Sequence, residues 1–466
     1  MLPVRILGDV ETRRSYDSYL KWSQFEGINP DNALGRSEYQ TAVNLLTYKT
    51  IQELHDGFHR AIANLSRPSE SEIVFYSPIA SRGDIKERIA DDAGLSEIPV
   101  ILKDFSAEDL TSAAKVSETV TNAMFKYRTQ TGISTAEVSP ENLVPLSKEN
   151  WSKTWKYGKT RNSSRIILLA DYSSSGQQAE EFLESVFENV DIKRAVAEKR
   201  TTINLYVFCI TRQALKRILE YKGKIENSIK TTAFYINYEY ACVSLKKTCL
   251  PVNKNSRLYQ GTKYGITRGN TLKAGLSLFA SQWTIPNNLP TIFVGKKKNA
   301  KSEYRDYDSL LLFGKRSNSL GARDAFESRE SRLSSRAVRR LLVDSREVKD
   351  RNIKEYFSRD SVSVLYDILG FCYTIRSSFD IMEVTGLGYQ EVKSCMHKLE
   401  TEELVRRVQS SKYGKSFGWR ISKLGYARLC REARLETSEC SGLTSGGADL
   451  TSHSDQHIIK VLLKGS

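Results

Sequence analysis

Short apolar runs followed by amphipathic helical segments recur through the first 295 residues. Residues 166–170 form an apolar run typical of a strand that is buried on both faces. In the next segment, 177–189, apolar residues recur at helical spacing, and a second apolar run, 203–210, follows it. This order of strand, helix and strand predicts a parallel α/β sheet.

The same alternation continues on both sides of this unit. Residues 73–76 predict another strand, followed by a loop and a helix, and residues 232–238 predict a further strand. A helix at 213–221 is predicted between the strands at 203–210 and 232–238. Before the sheet, apolar residues at helical spacing from 38 to 65 predict a mostly helical N-terminal region.

The pattern changes in the last third of the chain, where helices of 6 to 12 residues are followed by a hairpin. The predicted elements are helices at 362–373 and 379–384, a turn at 386–388, a helix at 389–400, strands at 404–408 and 419–421, and a closing helix from 422. Ser422 is the predicted cap of that last helix. A glycine-containing hairpin tip, 409–418, lies between the two strands.

The length of the chain indicates several domains, and its charge favours a polyanionic partner. A chain of 466 residues exceeds one ordinary domain, and its net charge is +15. Residues 296–340 alone contain thirteen Lys or Arg and six Asp or Glu. Such a basic stretch suits contact with a phosphate backbone, although it could equally be a solvated linker.

The cysteines and the apolar runs predict a protein of the reducing cytoplasm. The seven cysteines are scattered and contain no Cys-x-x-Cys pair, which argues against a disulfide framework and a zinc site. His55 and His59 lie four residues apart but lack a third ligand at a suitable spacing. No apolar run has the roughly 18 residues that a membrane-spanning helix needs, so no membrane partner is expected.

The segment from Asp171 to Gly176 carries the chemistry of a phosphate or ribose site. Ser173, Ser174 and Ser175 offer hydroxyls, Gly176 permits close approach of the backbone, and the following helix begins with free N–H groups. Asp171 could accept a ribose hydroxyl or help to hold a magnesium ion. The alternative is an ordinary turn in which the serines only cap the helix.

This loop resembles the phosphoribosyl pyrophosphate loop of type I phosphoribosyltransferases, where two acids and three residues precede Thr/Ser-Gly. The second acid, the hydroxyl and the glycine fall on Asp171, Ser175 and Gly176, whereas the first acid is replaced by Ala170. The resemblance implies a phosphoribosyl pyrophosphate-like or nucleotide ligand, with Mg²⁺, and gives Asp171 a catalytic role. It also implies that an earlier loop contacts pyrophosphate, here through Ser81, Arg82 and Gly83.

A second motif narrows the resemblance to a subgroup. The segment 285–290, Ile-Pro-Asn-Asn-Leu-Pro, looks like the strand-terminal turn that closes phosphoribosyltransferase-like domains of bacterial conflict systems. Two prolines and two asparagines could also form a purely structural turn. Taken together, the two motifs imply a phosphoribosyltransferase-like α/β domain with a parallel, Rossmann-like sheet.

The C-terminal order of helices and hairpin is similar to the winged helix-turn-helix family. In that family the second helix of the turn enters the major groove and the wing touches the backbone or minor groove. The resemblance places nucleic-acid contacts on the helix at Tyr389, Gln390, Lys393, Ser394 and His397, and on the wing at Lys412, Tyr413 and Lys415. Residues 389–431 contain ten Lys or Arg and four Asp or Glu, which suits a polyanion. Winged helices also dock proteins, which remains the alternative.

The chain is therefore divided into five predicted parts. These are a helical N-terminal region (1–70), a phosphoribosyltransferase-like domain (71–295), a basic linker (296–358), a winged helix-turn-helix domain (359–434) and a tail (435–466). The combination resembles accessory effector proteins of bacterial retrons, which implies a toxin held in check by a reverse transcriptase and its RNA–DNA product. The other hypothesis is a regulator without enzymatic chemistry, which senses a ligand and controls DNA binding.

Overall fold

The structure is a computed structural model that describes a little over two fifths of the chain. The described residues are 46–49, 51–65, 73–79, 116, 143–146, 151, 164–244, 277–281, 286, 343, 348–358, 363–409 and 417–440. All structural statements below concern these residues.

Five parallel strands form the central sheet. In chain order they are β2 (Ile73–Pro78), β3 (Leu143–Pro145), β4 (Ser164–Ser173), β5 (Thr201–Thr211) and β6 (Tyr235–Cys242). Their order across the sheet is β3-β2-β4-β5-β6. The prediction of a parallel α/β sheet is confirmed, and β4 and β5 lie at its centre because their residues are apolar on both faces.

Helices cover the two faces of the sheet. Helix α1 (Ile51–Leu65) packs on one face, where Leu54 and Phe58 meet Ile167, Leu169 and Phe208. Helices α2 (Gln177–Glu188), α3 (Val190–Ala197) and α4 (Arg212–Ile229) pack on the other face, against Ile166 and Leu168. Alternate residues of β4 therefore enter two separate apolar cores, as the pleat of a strand requires.

A second, two-stranded sheet corrects the N-terminal prediction. Strand β1 (Thr47–Lys49) pairs in parallel with β7 (Phe279–Ser281), so the region predicted to be mostly helical from the pattern at 38–65 contains a strand at residues 47–49. Pairing with a distant strand overrides the local helical pattern there. Since α1 packs on the central sheet, residues 46–65 lie with the α/β core, although our predicted boundary at residue 70 separates them from it.

Helix α3 was not predicted from the sequence. Asn189 ends α2 and caps α3, because the backbone N–H of Ile192 donates to its side-chain oxygen at 2.9 Å. Helix α4 is longer than the predicted 213–221, and it ends at Lys230, whose φ of 57° lies in the left-handed region.

The C-terminal unit consists of helices α5 to α9 and one hairpin. Its elements are α5 (Arg351–Ser358), α6 (Val364–Phe371), α7 (Ser378–Thr385), α8 (Tyr389–Thr401), β8 (Val405–Gln409), β9 (Phe417–Ile421) and α9 (Lys423–Cys440). Strands β8 and β9 are antiparallel. The helices and strands predicted from 362 onwards lie where they were expected, and Ser422 caps α9 by accepting the N–H of Gly425 at 2.9 Å.

The C-terminal unit packs against β6, which is an edge strand of the central sheet. The ring of Tyr238 lies 5.6 Å from that of Phe379 and 6.1 Å from that of Tyr389, edge-on in both cases. The apolar core on the α2 face continues through this contact into the C-terminal unit. The edge strand is thereby covered, which protects its unpaired backbone groups.

None of the described helices combines the length and the apolar character that crossing a membrane requires.

Candidate functional site

The candidate site lies where the strand order of the central sheet reverses. From β2 the chain continues to β3 on one side, whereas β4 leads to β5 and β6 on the other. Ligands of open parallel sheets bind at such a switch point, outside the carboxyl ends of the strands. The ends of β2 and β4 are held together, because the N–H of Ile79 donates to the carbonyl of Leu169 at 2.8 Å. The side-chain amide of Gln178, in the first turn of α2, reaches the carbonyl of Ile79 at 3.4 Å.

Strand β4 extends further into the site than predicted. We expected it to end at Asp171, but pairing with β5 continues to Ser173, opposite Ile210. Asp171 and Ser173 are consequently strand residues, 7% and 8% exposed, and the connecting loop is reduced to Ser174, Ser175 and Gly176. The longer strand follows from β5, which offers paired backbone as far as Thr211.

Strand pairing is interrupted at one row that contains Asp171. Ala170 and Tyr172 of β4 both pair with β5, whereas no residue of β5 is in register with Asp171 between them. No registered pair includes Phe208 of β5 or Glu239 of β6 either, although the residues on either side of them are paired. Leu169 and Tyr172 both contact the core on the α1 face, so the regular alternation shifts by one residue here. The offset between paired residues of β4 and β5 is the same on both sides of this row, so the irregularity is a change of side-chain direction and not a β-bulge.

The loop that follows is fixed by contacts with the start of α4. The hydroxyl of Thr211 donates to the carbonyl of Ser174. Gly176 has φ 75° and ψ −3°, and a Cβ at this position would lie 2.9 Å from the carbonyl oxygen of Ala214. Glycine is therefore required both by the backbone conformation and by the close approach of α4.

The serines have different surroundings. The Ser175 hydroxyl accepts the N–H of Gln177 at 3.2 Å, a local turn contact, whereas the N-cap of α2 is Gly176 and no side chain caps this helix. Ser174 and Ser175 are half-buried, whereas Ser173 is buried. A hydroxyl that accepts a backbone N–H still has a proton to donate, so the contact of Ser175 is compatible with a phosphate ligand.

Ala170, where the resemblance expects a first acid, is a core residue. It is 8% exposed and belongs to the apolar cluster that contains Phe182 and Leu183 of α2. A carboxylate there would be buried among hydrocarbon groups, at a high desolvation cost. The described residues contain no cluster of three or more His, Cys, Asp or Glu that could hold a metal ion.

One carboxylate with nearby hydroxyls nevertheless fits a magnesium ion that arrives with a phosphate ligand. Mg²⁺ retains several waters and is usually held by one or two carboxylates together with substrate phosphates. Asp171 would supply the protein carboxylate in such an arrangement.

Tyr172, near the end of β4, joins the central sheet to β7, the strand that precedes the 285–290 motif. Its ring stacks on Phe279 of β7, with centroids 4.5 Å apart and planes at 15°, and its hydroxyl is hydrogen-bonded to that of Ser277. Of the 285–290 motif, only Pro286 lies among the described residues. The predicted pyrophosphate contacts Ser81, Arg82 and Gly83 lie outside them.

The predicted nucleic-acid contacts on α8 share one exposed surface. The side chains of Gln390, Lys393, Ser394 and His397 are all exposed, and Tyr389 is 39% exposed beside Tyr238. These positions recur at the three- and four-residue spacing of one helix face. Lys412, Tyr413 and Lys415 lie outside the described residues.

The hairpin adds cations that sequence reasoning overlooked. Arg406 and Arg420 are directly opposite each other on β8 and β9, and both are exposed. Like charges in opposite positions destabilise a hairpin, so this pair has a cost in the isolated chain. Arg407 lies 4.9 Å from the ring centroid of Trp419. The alternation of the two predicted strands would have identified the arginine pair.

Burial keeps several ionisable groups neutral. It raises the pKa of Tyr238, at the contact between the sheet and the C-terminal unit, to about 12. It also raises the pKa of the Cys372 thiol to about 12, so this cysteine is a core residue and not a nucleophile.

A parallel α/β sheet with an acidic, hydroxyl- and glycine-containing loop at its switch point defines a phosphoribosyltransferase-like domain. The family model PRTase-CE matches residues 46–310, more than half of the chain, and the chain belongs to this family. The match begins one residue before β1 and includes β7, in agreement with the pairing of these two strands. No curated protein and no solved structure matches the chain.

Proposed function

We propose that the protein is the effector, or toxin, of a retron-type anti-phage defence system. Its phosphoribosyltransferase-like domain binds or processes a nucleotide or phosphoribosyl substrate, and its C-terminal winged helix binds the RNA–DNA of the system. The observation that carries the proposal is the segment from Asp171, near the end of β4, to Gly176, before α2, at the switch point of a PRTase-CE sheet. A basic C-terminal unit packed on that sheet supports it.

In this proposal, Asp171 accepts a ribose hydroxyl and contributes to holding Mg²⁺. The hydroxyls of Ser173, Ser174 and Ser175 donate to a phosphate, and the backbone at Gly176 approaches it closely. The helix α2 that begins after Gly176 favours negative charge at its N-terminus. Ser81, Arg82 and Gly83 follow β2, whose end is hydrogen-bonded to that of β4, and would contact pyrophosphate.

The first experiment is isothermal titration of the purified protein with phosphoribosyl pyrophosphate and Mg²⁺. The variant Asp171→Asn keeps the shape of the side chain but removes its charge, and we expect binding at least ten times weaker, since hydrogen bonds to charged groups contribute about 1.5–3 kcal/mol. Asp191→Asn, in the first turn of α3, is the matched control. Equal affinity of Asp171→Asn and wild type would exclude Asp171 from the site.

Nucleic-acid binding is tested separately through its dependence on salt. Replacing Lys393 and Lys412 by alanine should weaken binding and lower the slope of log K against log salt by about 0.9 for each lost duplex phosphate contact, or about 0.7 on a single strand. The double variant Lys216→Ala with Lys224→Ala, on α4, removes the same charge elsewhere. An unchanged slope in the first variant would favour a protein-docking role for the C-terminal unit.

The alternative is a non-enzymatic regulator with a ligand-sensing α/β domain. The burial of Ala170 favours it, because that position is committed to the core and cannot supply the first acid of a phosphoribosyltransferase loop. Purification from the native operon separates the two hypotheses. A co-purifying reverse transcriptase with RNA–DNA supports the effector, whereas selective binding to one duplex DNA sequence supports the regulator.

A further inference from the structure

The start of one helix contacts both the candidate ligand loop and the C-terminal unit. This is the start of α4, from Thr211 to Arg217. Its contacts on one side reach the loop of Ser174 to Gly176, and those on the other side reach helix α7. Neither set of contacts was predicted from the sequence, because the partners are more than 30 residues apart in the chain.

On the loop side, three contacts join α4 to the candidate site. The fully buried Thr211 donates its hydroxyl proton to the carbonyl of Ser174 and accepts the N–H of Ala214 at 3.1 Å. Gly176 packs directly on the backbone of Ala214. Arg217 forms an ion pair with Glu180, in the first turn of α2. A shift of the loop therefore cannot leave the start of α4 unmoved.

On the C-terminal side, Arg212 contacts two acids of α7. Its guanidinium donates to Asp380 and, at 2.7 Å, to Glu383, whose side chains are 1% and 0% exposed. The guanidinium also lies 5.0 Å from the ring centroid of Phe379. We call Arg212, Asp380 and Glu383 the Arg212 cluster. Buried carboxylates are stable only when paired, so the position of Arg212 determines how well α7 docks.

The capping contact of Thr211 makes these two sets of contacts dependent on each other. Thr211 and Arg212 are consecutive residues, and the hydrogen bond from Ala214 to Thr211 holds them in one turn. An alteration that releases the Ser174 carbonyl from Thr211 also loosens the turn from which Arg212 projects. The contacts thus form one continuous path from the loop to α7.

We propose that this turn couples occupancy of the ligand loop to docking of the C-terminal unit on the sheet. The ligand-dependent part rests on the proposed function, whereas the mechanical coupling does not. The N-terminus of α8 lies on the same surface, since a Cβ at Gly388 would lie 3.3 Å from the ring of Tyr240, and Tyr389 contacts Tyr238. Ligand binding would thereby change how α8 is presented to nucleic acid.

Hydrogen exchange of the ligand-free protein tests the coupling. Thr211→Val removes the hydroxyl but keeps the shape, and we expect amides of α7 to exchange at least tenfold faster. Thr202→Val, at the other end of β5, is the matched control and should leave α7 unchanged. Amides in the centre of β5 serve as the reference for global stability. Faster exchange confined to the loop and α4, with α7 unaffected, would overturn the coupling.

Titration with phosphoribosyl pyrophosphate and Mg²⁺ tests the ligand-dependent part. Arg212→Gln and Glu383→Gln both alter the Arg212 cluster, and we expect each to change the Kd about tenfold although neither residue touches the loop. Arg200→Gln, which alters an exposed ion pair, is the control. Unchanged affinity in both cluster variants would refute ligand coupling. Failure of the wild type to bind would refute the proposed ligand, and the exchange experiment would still decide the mechanical coupling.

Discussion

Two glycines of the α/β domain should respond to the same substitution with opposite signs. Gly176 stands at the start of α2 with φ 75°, a left-handed conformation that costs an alanine about 1–2 kcal/mol. Its added Cβ would also lie 2.9 Å from the carbonyl oxygen and 3.1 Å from the Cα of Ala214. Both atoms belong to the backbone and cannot rotate away, so overpacking adds about 1–3 kcal/mol.

Gly223 provides the matched control. It lies inside α4, and a Cβ added there meets no atom within 4 Å. Alanine is a better helix former than glycine by about 0.8–1 kcal/mol. Gly223→Ala should therefore stabilise the domain slightly, whereas Gly176→Ala should destabilise it by roughly 2–5 kcal/mol.

Urea unfolding followed by circular dichroism measures both effects as changes in the free energy of unfolding. A loss of less than about 0.5 kcal/mol for Gly176→Ala would be within the range of ordinary surface substitutions. That result would refute the argument that the loop is pressed against α4, and with it one of the contacts on which the proposed coupling depends. A destabilising Gly223→Ala would refute the assignment of open space around α4.

Three further predictions concern the core, the hairpin and alkaline pH. Phe182→Ala, which empties a buried position between α2 and the sheet, should lower the free energy of unfolding by about 3–5 kcal/mol in urea. Gly425→Ala would force a Cβ onto the carbonyl oxygen of Leu404, and hydrogen exchange should show opening of α9 and the hairpin while β5 stays protected. Tyr238 has its pKa raised by burial to about 12, so its contribution to stability is full below pH 10, its unfolded value, and is lost between pH 10 and about 12. Between pH 10 and about 12, the free energy of unfolding should depend less on pH in Tyr238→Phe than in Tyr235→Phe, which alters an exposed tyrosine. Equal slopes in both variants would refute the assignment.

The central strands could be predicted because each of their residues faces an apolar core. Residues 166–170 are all apolar and residues 203–210 are apolar except for Asn204, and the structure buries both runs between two layers of helices. Local sequence was insufficient for β1, which has three residues and pairs with β7, more than 200 residues away in the chain. Helix α3 was overlooked although Asn189 and Asp191 are the residues expected at a helix start.

The chemistry of the candidate site was also more predictable than its supports. The residue types from Asp171 to Gly176 predict a phosphate or ribose site, with an ordinary serine-containing turn as the alternative. The contacts that hold this loop come from Thr211 and Ala214, and those that join it to the C-terminal unit come from Arg212, Asp380 and Glu383. These contacts depend on how distant elements pack, which the local pattern of a sequence does not encode.

The burial of Ala170 bears on which of the two proposed functions is correct. A surface alanine could have replaced an acid by a single substitution and left the site otherwise intact. Ala170 instead contributes to the packing of β4 against α2, so an acid at this position would have to be desolvated among apolar side chains. A reaction that needs two adjacent carboxylates is therefore not supported by this sheet, and the ligand binding that we propose relies on Asp171, the serine hydroxyls and the backbone at Gly176. An active effector of this kind must work with Asp171 as its one acid in the loop, and loss of toxicity in Asp171→Ala with nucleic-acid binding intact would separate it from a pure regulator.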